Sequence, residues 1–344
     1  MIEKKKTGVL LVNLGTPDSP NVPDVRKYLR EFLMDGRVID ISNIARFLLV
    51  NFIIAPFRAP KSAKVYQKLW TSEGSPLKIF GYSNELQLQK RLGEDFEVKI
   101  AMRYQSPSIA ERLLEFKTSG ISELIVIPLF PQYASATSGS VYQKVMEIVS
   151  QWQIIPQIKF INYFYRYPKF IQGFVNNAQK MMSEHDYEHF VFSYHGLPER
   201  QIKKGDDYGV CKLGDCCGEI TAKNQFCYRA QCFATTRLLV KSLGLKEGSY
   251  TTSFQSRLGK DPWIKPYSED LVKELAGKGI KSVLAFSPAF VSDCLETTIE
   301  VGEEYRELFE EYGGEKWDLV PSLNDQDSWI ELLQDLVLEN KAKN

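Results

Sequence analysis

Four strand-end turns, in two matching pairs, constrain this chain more than any other feature. Gly15-Thr16-Pro17 follows the apolar run VLLVNL, and Gly196-Leu197-Pro198 follows FVFSYH. Pro131-Gln132-Tyr133-Ala134-Ser135 follows LIVIPLF, and Pro288-Ala289-Phe290-Val291-Ser292 follows SVLAFS. Short apolar runs bounded by turn residues read as strands buried on both faces. They recur at 8–13, 98–103, 124–129, 190–194, 250–254, 283–286 and 317–320. Segments with helical spacing lie between most of them, at 84–92, 108–116, 141–152, 234–243 and 271–275. Strands alternating with helices imply a parallel sheet covered on both faces, an α/β fold. The paired turns imply that the α/β unit is duplicated. The two pairs are unequally spaced, which reads as an insertion in the second half, where a cysteine-rich segment lies. The expected division is a first domain over 1–155, a second over 156–330 with its insertion at 209–232, and a helix end or tail over 331–344. In open α/β sheets ligands bind beyond the carboxyl ends of the strands, so all four turns belong at the expected site.

Charge narrows the function classes. The chain has 344 residues, 43 Lys plus Arg against 43 Asp plus Glu. A nucleic-acid partner would call for a basic excess to neutralise phosphates, and there is none. The opening MIEKKKTGVLLVNLG is too short in its apolar part for a secretion signal and reads as a first strand. The segment 44–56, IARFLLVNFIIAP, falls short of the ~20 apolar residues of a spanning helix. A cytoplasmic location is therefore expected, where clustered cysteines serve as thiols or metal ligands rather than disulfides.

Three groups of residues could carry chemistry. Of the three histidines, His185 and His189 lie in the polar stretch SEHDYEH and read as surface residues. His195 ends an apolar strand, where an imidazole can take a proton or bind a metal near neutral pH. In SDCLETTIEVGEEY, Glu296, Glu300 and Glu303 share one helix face, and their mutual repulsion asks for a cation or solvent. The first of these falls in the first turn after a strand-end turn, at the expected ligand site. Five of the six cysteines, Cys211, Cys216, Cys217, Cys227 and Cys232, fall within 211–232. The glycines there and the lack of an apolar period read as a loop that a metal centre would have to order.

Seven segments then match, in order, one known pattern: VNLGTPDSP (12–20), SPLKIFG (75–81), AMRYQSP (101–107), FPQYASATSGS (130–140), FSYHGLPER (192–200), TTSFQSRLGKDPWI (251–264) and FVSDCLETTIE (290–300). Together they resemble ferrochelatase, which inserts ferrous iron into a porphyrin in haem biosynthesis. The resemblance runs from about residue 7 to 330. It implies two Rossmann-like domains, each with a parallel four-stranded sheet, and a porphyrin cleft between them. It implies that His195 and Glu296 are the catalytic pair and the ligands of the substrate Fe2+. Glu300 would be the next acid along a metal or proton path. Arg103, Tyr104, Leu14, Ser135 and Trp263 would bind the porphyrin, with Gln255 and Ser256 beside them. A porphyrin must lose two N–H protons as it gains a divalent metal, and a nearby histidine and carboxylates suit both tasks.

The same resemblance gives meaning to the rest. The segment 44–60 would form an apolar lip. Phe47, Leu48, Leu49, Phe52, Ile53 and Ile54, flanked by Arg46, Arg58 and Lys61, would suit peripheral contact at the inner face of the membrane. Leu14 stands where the coproporphyrin-using branch commonly has a tyrosine, which favours protoporphyrin IX as substrate. Cys294 stands where some members have histidine. The cysteine segment resembles the internal insertion that ligates a [2Fe-2S] cluster in some bacterial members, with four of the five cysteines as ligands and one of the adjacent pair Cys216-Cys217 expected to be the spare. The competing readings are a coproporphyrin ferrochelatase, a chelatase for another metal or tetrapyrrole, and a haem or iron–sulfur carrier without turnover. Arg103 and Trp263 argue against the chelatase for another metal or tetrapyrrole, and His195 with Glu296 against the carrier.

Overall fold

The computed structural model describes residues 6–259 and 261–342. The chain divides into two compact units. One comprises residues up to Phe130, Ser135–Asn162 and those from Trp329 on; the other comprises Pro131–Ala134 and Tyr163–Ser328. The segment set apart in the sequence as a helix end or tail lies mostly in the helix Asp327–Asn340. Near it, the Ala342 amide donates to Glu123 and Arg91 lies 3.9 Å from Glu331, both on the first unit.

Each unit is built on a four-stranded parallel sheet. The first contains β1 (Thr7–Gly15), β2 (Phe96–Tyr104), β3 (Glu123–Pro128) and β4 (Gln157–Phe160), in the order β2-β1-β3-β4. The second contains β5 (His189–His195), β6 (Tyr250–Gln255), β7 (Ser282–Phe286) and β8 (Lys316–Leu319), in the order β6-β5-β7-β8. The order is the same in both, as a duplicated unit requires. The seven strands expected from apolar runs are all present. The eighth, β4, is a four-residue edge strand whose residues are exposed or half-buried, so its composition carries no continuous apolar signal.

Alternation along the strands sends side chains to both faces. Leu10, Val12 and Ala101 pack with the helices Ile109–Ser119 and Ser140–Val149. Ile100 and Met102 face the other way, and Gly81 of the helix Pro76–Leu92 lies so near that an added Cβ would sit 3.2 Å from Ile100. In the second unit Val191, Val283 and Ala285 pack with Leu271, Val272, Tyr305, Phe309 and Trp317. Each such aliphatic side chain removed from water contributes roughly 1.5–3 kcal/mol. Local chemistry fixes the ends of these helices. Ser108 and Glu111 form a reciprocal capping box at the start of Ile109–Ser119, and Gly120 closes it with a left-handed φ of 70°.

Two expectations need correction. The interval from Gly15 to Pro131 is longer than that from Gly196 to Pro288, so the length difference lies in the first unit. It comes from the helical run Asn43–Leu69 and the helix Pro76–Leu92, which lie between β1 and β2. The cysteine segment is not the cause. Nor is that segment a loop throughout: Cys216 and Cys217 lie in the short 3-10 turn Asp215–Cys217, and Cys232 lies inside the helix Tyr228–Leu243.

Candidate active site

His195 is the last residue of β5 and pairs in register with Gln255, the last of β6. Its Nδ1 lies 2.7 Å from the Gly196 carbonyl oxygen. A carbonyl can only accept, so Nδ1 carries a proton, and in the neutral ring the free lone pair is on Nε2. The turn that follows is tight. An added Cβ at Gly196 would lie 2.8 Å from the Gln255 carbonyl oxygen and 3.0 Å from the Trp263 ring. Trp263 is buried, with its ring centroid 6.4 Å from that of His195. The Tyr228 hydroxyl donates to the His195 carbonyl at 2.8 Å.

Gln255 joins this strand end to the acidic helix. Its Oε1 accepts from Ser193 at 2.7 Å. Its Nε2 donates to the Glu296 carbonyl at 2.9 Å and to the Glu300 carboxylate at 3.0 Å. Ser256 donates to the same carboxylate at 2.5 Å, and the Tyr305 hydroxyl to its other oxygen at 3.3 Å. Burial and the Glu300 charge push the Tyr305 hydroxyl well up, so it stays a donor. Glu296 and Glu300 lie in the π-helical run Leu295–Glu304, whose end is marked by the Tyr305 amide donating to Glu300. Such wide turns are frequent at functional sites. Burial, and then the Glu296 charge, push the Cys294 thiol well up, so Cys294 is a protonated neighbour to the Glu296 carboxylate.

In the first unit, β2 ends in Arg103 and Tyr104, both bound to Asp35. Arg103 Nη2 lies 2.7 Å and the Tyr104 hydroxyl 2.9 Å from Asp35 Oδ2, and Ser140 donates to the same oxygen at 2.5 Å. Arg103 Nε also donates to Ser140 Oγ at 2.7 Å. Burial pushes the Asp35 carboxyl upward, but the bonds from Ser140 and the Arg37 amide, with the Arg103 charge, outweigh it and hold the group below the usual range. Ser135, exposed at the start of the π-helical turn Ser135–Gly139, accepts from Arg37 at 2.8 Å. Leu14 is half-buried near the end of β1. An added Cβ at Gly15, whose φ is 116°, would lie 2.1 Å from the Tyr104 carbonyl oxygen.

Sequence reading missed Asp35, Ser140, Tyr305 and Tyr228. Each is an ordinary polar residue in a helix or connection, and only the fold brings it to its partner. His189 corrects an expectation. It is buried at the start of β5 with Nε2 3.0 Å from Thr251 Oγ1, and burial lowers its pKa. His185 is exposed, as expected.

The cysteine segment brings thiols together in pairs. Cys211 lies within side-chain hydrogen-bonding reach of Cys216, and Cys217 of Cys227. The Lys212 amide donates to Cys216 Sγ at 3.2 Å, and Arg229 Nη1 to Cys217 Sγ at 3.0 Å. Cys232 is fully buried and bonds to the Tyr228 side chain. Among the described residues no three His, Cys, Asp or Glu side chains converge to hold a single metal ion.

The apolar segment forms the helix Asn43–Leu48, the π-helical turn Leu49–Ile54 and the helix Ala55–Leu69. Ile44, Phe47, Leu48, Phe52, Ile53 and Phe57 are all at least half exposed. Arg46, expected as a flanking cation, is instead buried and donates to the Ile39 and Ile41 carbonyls. No helix among the described residues is long and apolar enough to cross a membrane.

A family profile described as Ferrochelatase matches residues 6–341. The chain belongs to the ferrochelatase family. Curated relatives agree over the full length. A ferrochelatase of Legionella pneumophila (strain Lens) is 46% identical, covering 97% of this chain and 99% of its own. A ferrochelatase of Coxiella burnetii (strain CbuK_Q154) is 42% identical, covering 94% and 91%. Among solved structures, SirB from Bacillus subtilis with Fe3+ matches with a TM-score of 0.55 at 12% identity, covering 97% of this chain and 95% of that one. CbiX, the terminal enzyme of sirohaem biosynthesis in denitrifying bacteria, gives 0.51 at 10% identity, with 97% and 100% covered. At such identities these two speak for the duplicated chelatase fold alone.

Proposed function

We propose that the chain inserts Fe2+ into protoporphyrin IX to give protohaem, releasing two protons. The observation that carries this reading is the assembly at the ends of β5 and β6. There Gln255 pairs in register with His195, and its amide holds the Glu296 backbone carbonyl and the Glu300 carboxylate; the bonding partners of both glutamate side chains are neutral. Among the described residues neither carboxylate has an ion-pair partner. His195 Nε2 and the Glu296 carboxylate are the two basic groups for the pyrrole protons and the incoming iron, and Glu300 passes metal or protons along the helix. Trp263 supplies an apolar wall beside His195. In the first unit Arg103 and Tyr104, locked by Asp35, with Ser135 and Leu14, serve porphyrin binding. Leu14 offers hydrocarbon rather than a metal ligand, which favours protoporphyrin over coproporphyrin. Anaerobic turnover with Fe2+ and each porphyrin tests this. We expect many haems per chain with protoporphyrin, few with coproporphyrin, and loss in His195→Ala. Stoichiometric binding without turnover would overturn the reading in favour of a carrier.

The thiols fit a [2Fe-2S] cluster. Such a cluster takes two thiolates on each of two irons, so it needs two pairs and not three ligands about one point. Cys211 with Cys216 and Cys217 with Cys227 are two such pairs, and the Lys212 amide and Arg229 guanidinium are placed to offset sulfur charge. When bound, the cluster would supply an electron-transfer centre and order the segment. In this reading the spare cysteine is Cys232 and not, as the sequence suggested, one of the adjacent pair Cys216-Cys217. Reduced protein should give an electron paramagnetic resonance signal that survives Cys232→Ser and disappears in Cys217→Ser; the reverse pattern would reject the assignment.

The exposed apolar residues of 44–57 support peripheral contact with the cytoplasmic face of the membrane. Replacing Phe47, Phe52 and Phe57 by serine should weaken liposome binding, and unchanged binding would refute it.

A further inference from the structure

On the first unit a cavity of about 460 Å3 is lined by Pro23, Arg26, Lys27, Arg30, Glu31 and Gln105. All but Gln105 belong to the helix Val22–Leu33, and Gln105 directly follows β2. Arg26 and Arg30 are one helical turn apart, so their like charges repel on a shared face. Among the described residues neither side chain has a hydrogen-bond or ion-pair partner, and Arg26 Nε is buried with its N–H unmet. Lys27 reaches only Asp18, at 3.5 Å from a largely exposed position.

Gln105 has the complementary deficit. Gln105 is only 6% exposed. Its amide N–H and its Nε2 both donate to the Glu31 carboxylate. That carboxylate fixes the side-chain orientation, because a flipped amide would set oxygen against oxygen. Oε1 is then left buried without a donor. Beside the cavity Arg26 thus lacks an acceptor and Gln105 a donor, both atoms closed to solvent until the side chains shift, within a net positive field. A protonated phosphate supplies both. Its P–O⁻ oxygens accept from arginine, and its P–OH, still partly present near neutral pH, donates.

We propose that this cavity binds phosphate, free or as a monoester, at a site to which none of the residues assigned above contributes. The test is calorimetric titration of the full chain with inorganic phosphate at fixed ionic strength, beside sulfate, which has no O–H at that pH. We expect saturable binding with a Kd of about 1 mM or tighter. Sulfate should bind more weakly. Arg26→Gln/Arg30→Gln should weaken phosphate binding at least tenfold while leaving circular dichroism, phosphate-free thermal midpoint and metalloporphyrin turnover unchanged. Gln105→Leu should abolish the preference for phosphate over sulfate. No saturable binding by the wild type, equal binding by the folded double variant, or equal affinity for sulfate would overturn the proposal. Vesicles of phosphodiester lipid should not compete; competition would make the ligand a lipid surface and would also overturn it.

Discussion

The two units end corresponding strands in opposite electrostatic states. In the first, the carboxylate near the end of β2 belongs to Asp35, which is bound by Arg103, Tyr104, Ser140 and the Arg37 amide. Its charge is fully answered. In the second, the carboxylate near the end of β6 belongs to Glu300, whose donors are Gln255, Ser256 and Tyr305, all neutral. Neutral donors orient a carboxylate without cancelling its charge, so it remains able to attract a cation or a proton. Duplication supplied the same scaffold twice. The carboxylates come from different connections, Asp35 from the one after β1 and Glu300 from the one after β7, and only the first is met by an arginine.

The largest expected effect comes from closing the open end. Glu296→Gln keeps the shape of the side chain and removes its charge. Turnover with Fe2+ should fall about 10²-fold or more, as for loss of a positioned acid–base group. The Glu296 carbonyl, which Gln255 holds, is untouched, so the thermal midpoint should hardly move. A variant with wild-type turnover would mean that the open carboxylate is not used.

Breaking the closed end should show first in stability. Asp35→Asn leaves Arg103 partly buried without its counter-ion. The expected loss of stability is roughly 3 kcal/mol, the low end for a broken buried pair because Arg103 keeps some contact with water. Asp35 has a depressed folded pKa, so its contribution is present above the ordinary value of 3.8 and is lost as pH falls through the folded value. The wild type should therefore lose stability below about pH 4, and Asp35→Asn should show a flatter acid limb. Chemical denaturation at several pH values measures both. An unchanged acid limb would remove Asp35 from the account.

Much of this contrast was legible in the sequence. His195 stood out because it ends an apolar strand, and Glu296 and Glu300 because they share one helix face just after a strand-end turn, whereas Arg103 and Tyr104 were marked only by the resemblance to the family. The open end could be read because all its members but Tyr305 lie in three short motifs. The closed end could not. Asp35 and Ser140 are separated from Arg103 by 68 and 37 residues. No local pattern marks a residue whose partner is set by topology. His189 failed for a related reason: a polar neighbourhood says exposed, but its place at the start of β5 buries it. The pairing of thiols was equally hidden, since the spacing of five cysteines permits several sets of four.

The smallest effect is the sharpest test of how the open end is held. Ser256 sits in the left-handed region, with φ at 65°, and donates one of the three bonds to Glu300. Ser256→Ala removes that bond and leaves the other two. The stability change should be about 1 kcal/mol, the usual net worth of one hydrogen bond. If the carboxylate is kept open by neutral donors, turnover should fall only a few-fold, because Gln255 still holds both the helix start and Glu300. Ser256→Lys would instead place a cation beside Glu300 and make the second unit resemble the first. That variant should lose far more turnover than Ser256→Ala at similar stability. Equal turnover in the two would show that charge, as distinct from orientation, is irrelevant at this end, and the contrast between the units would then be one of packing alone.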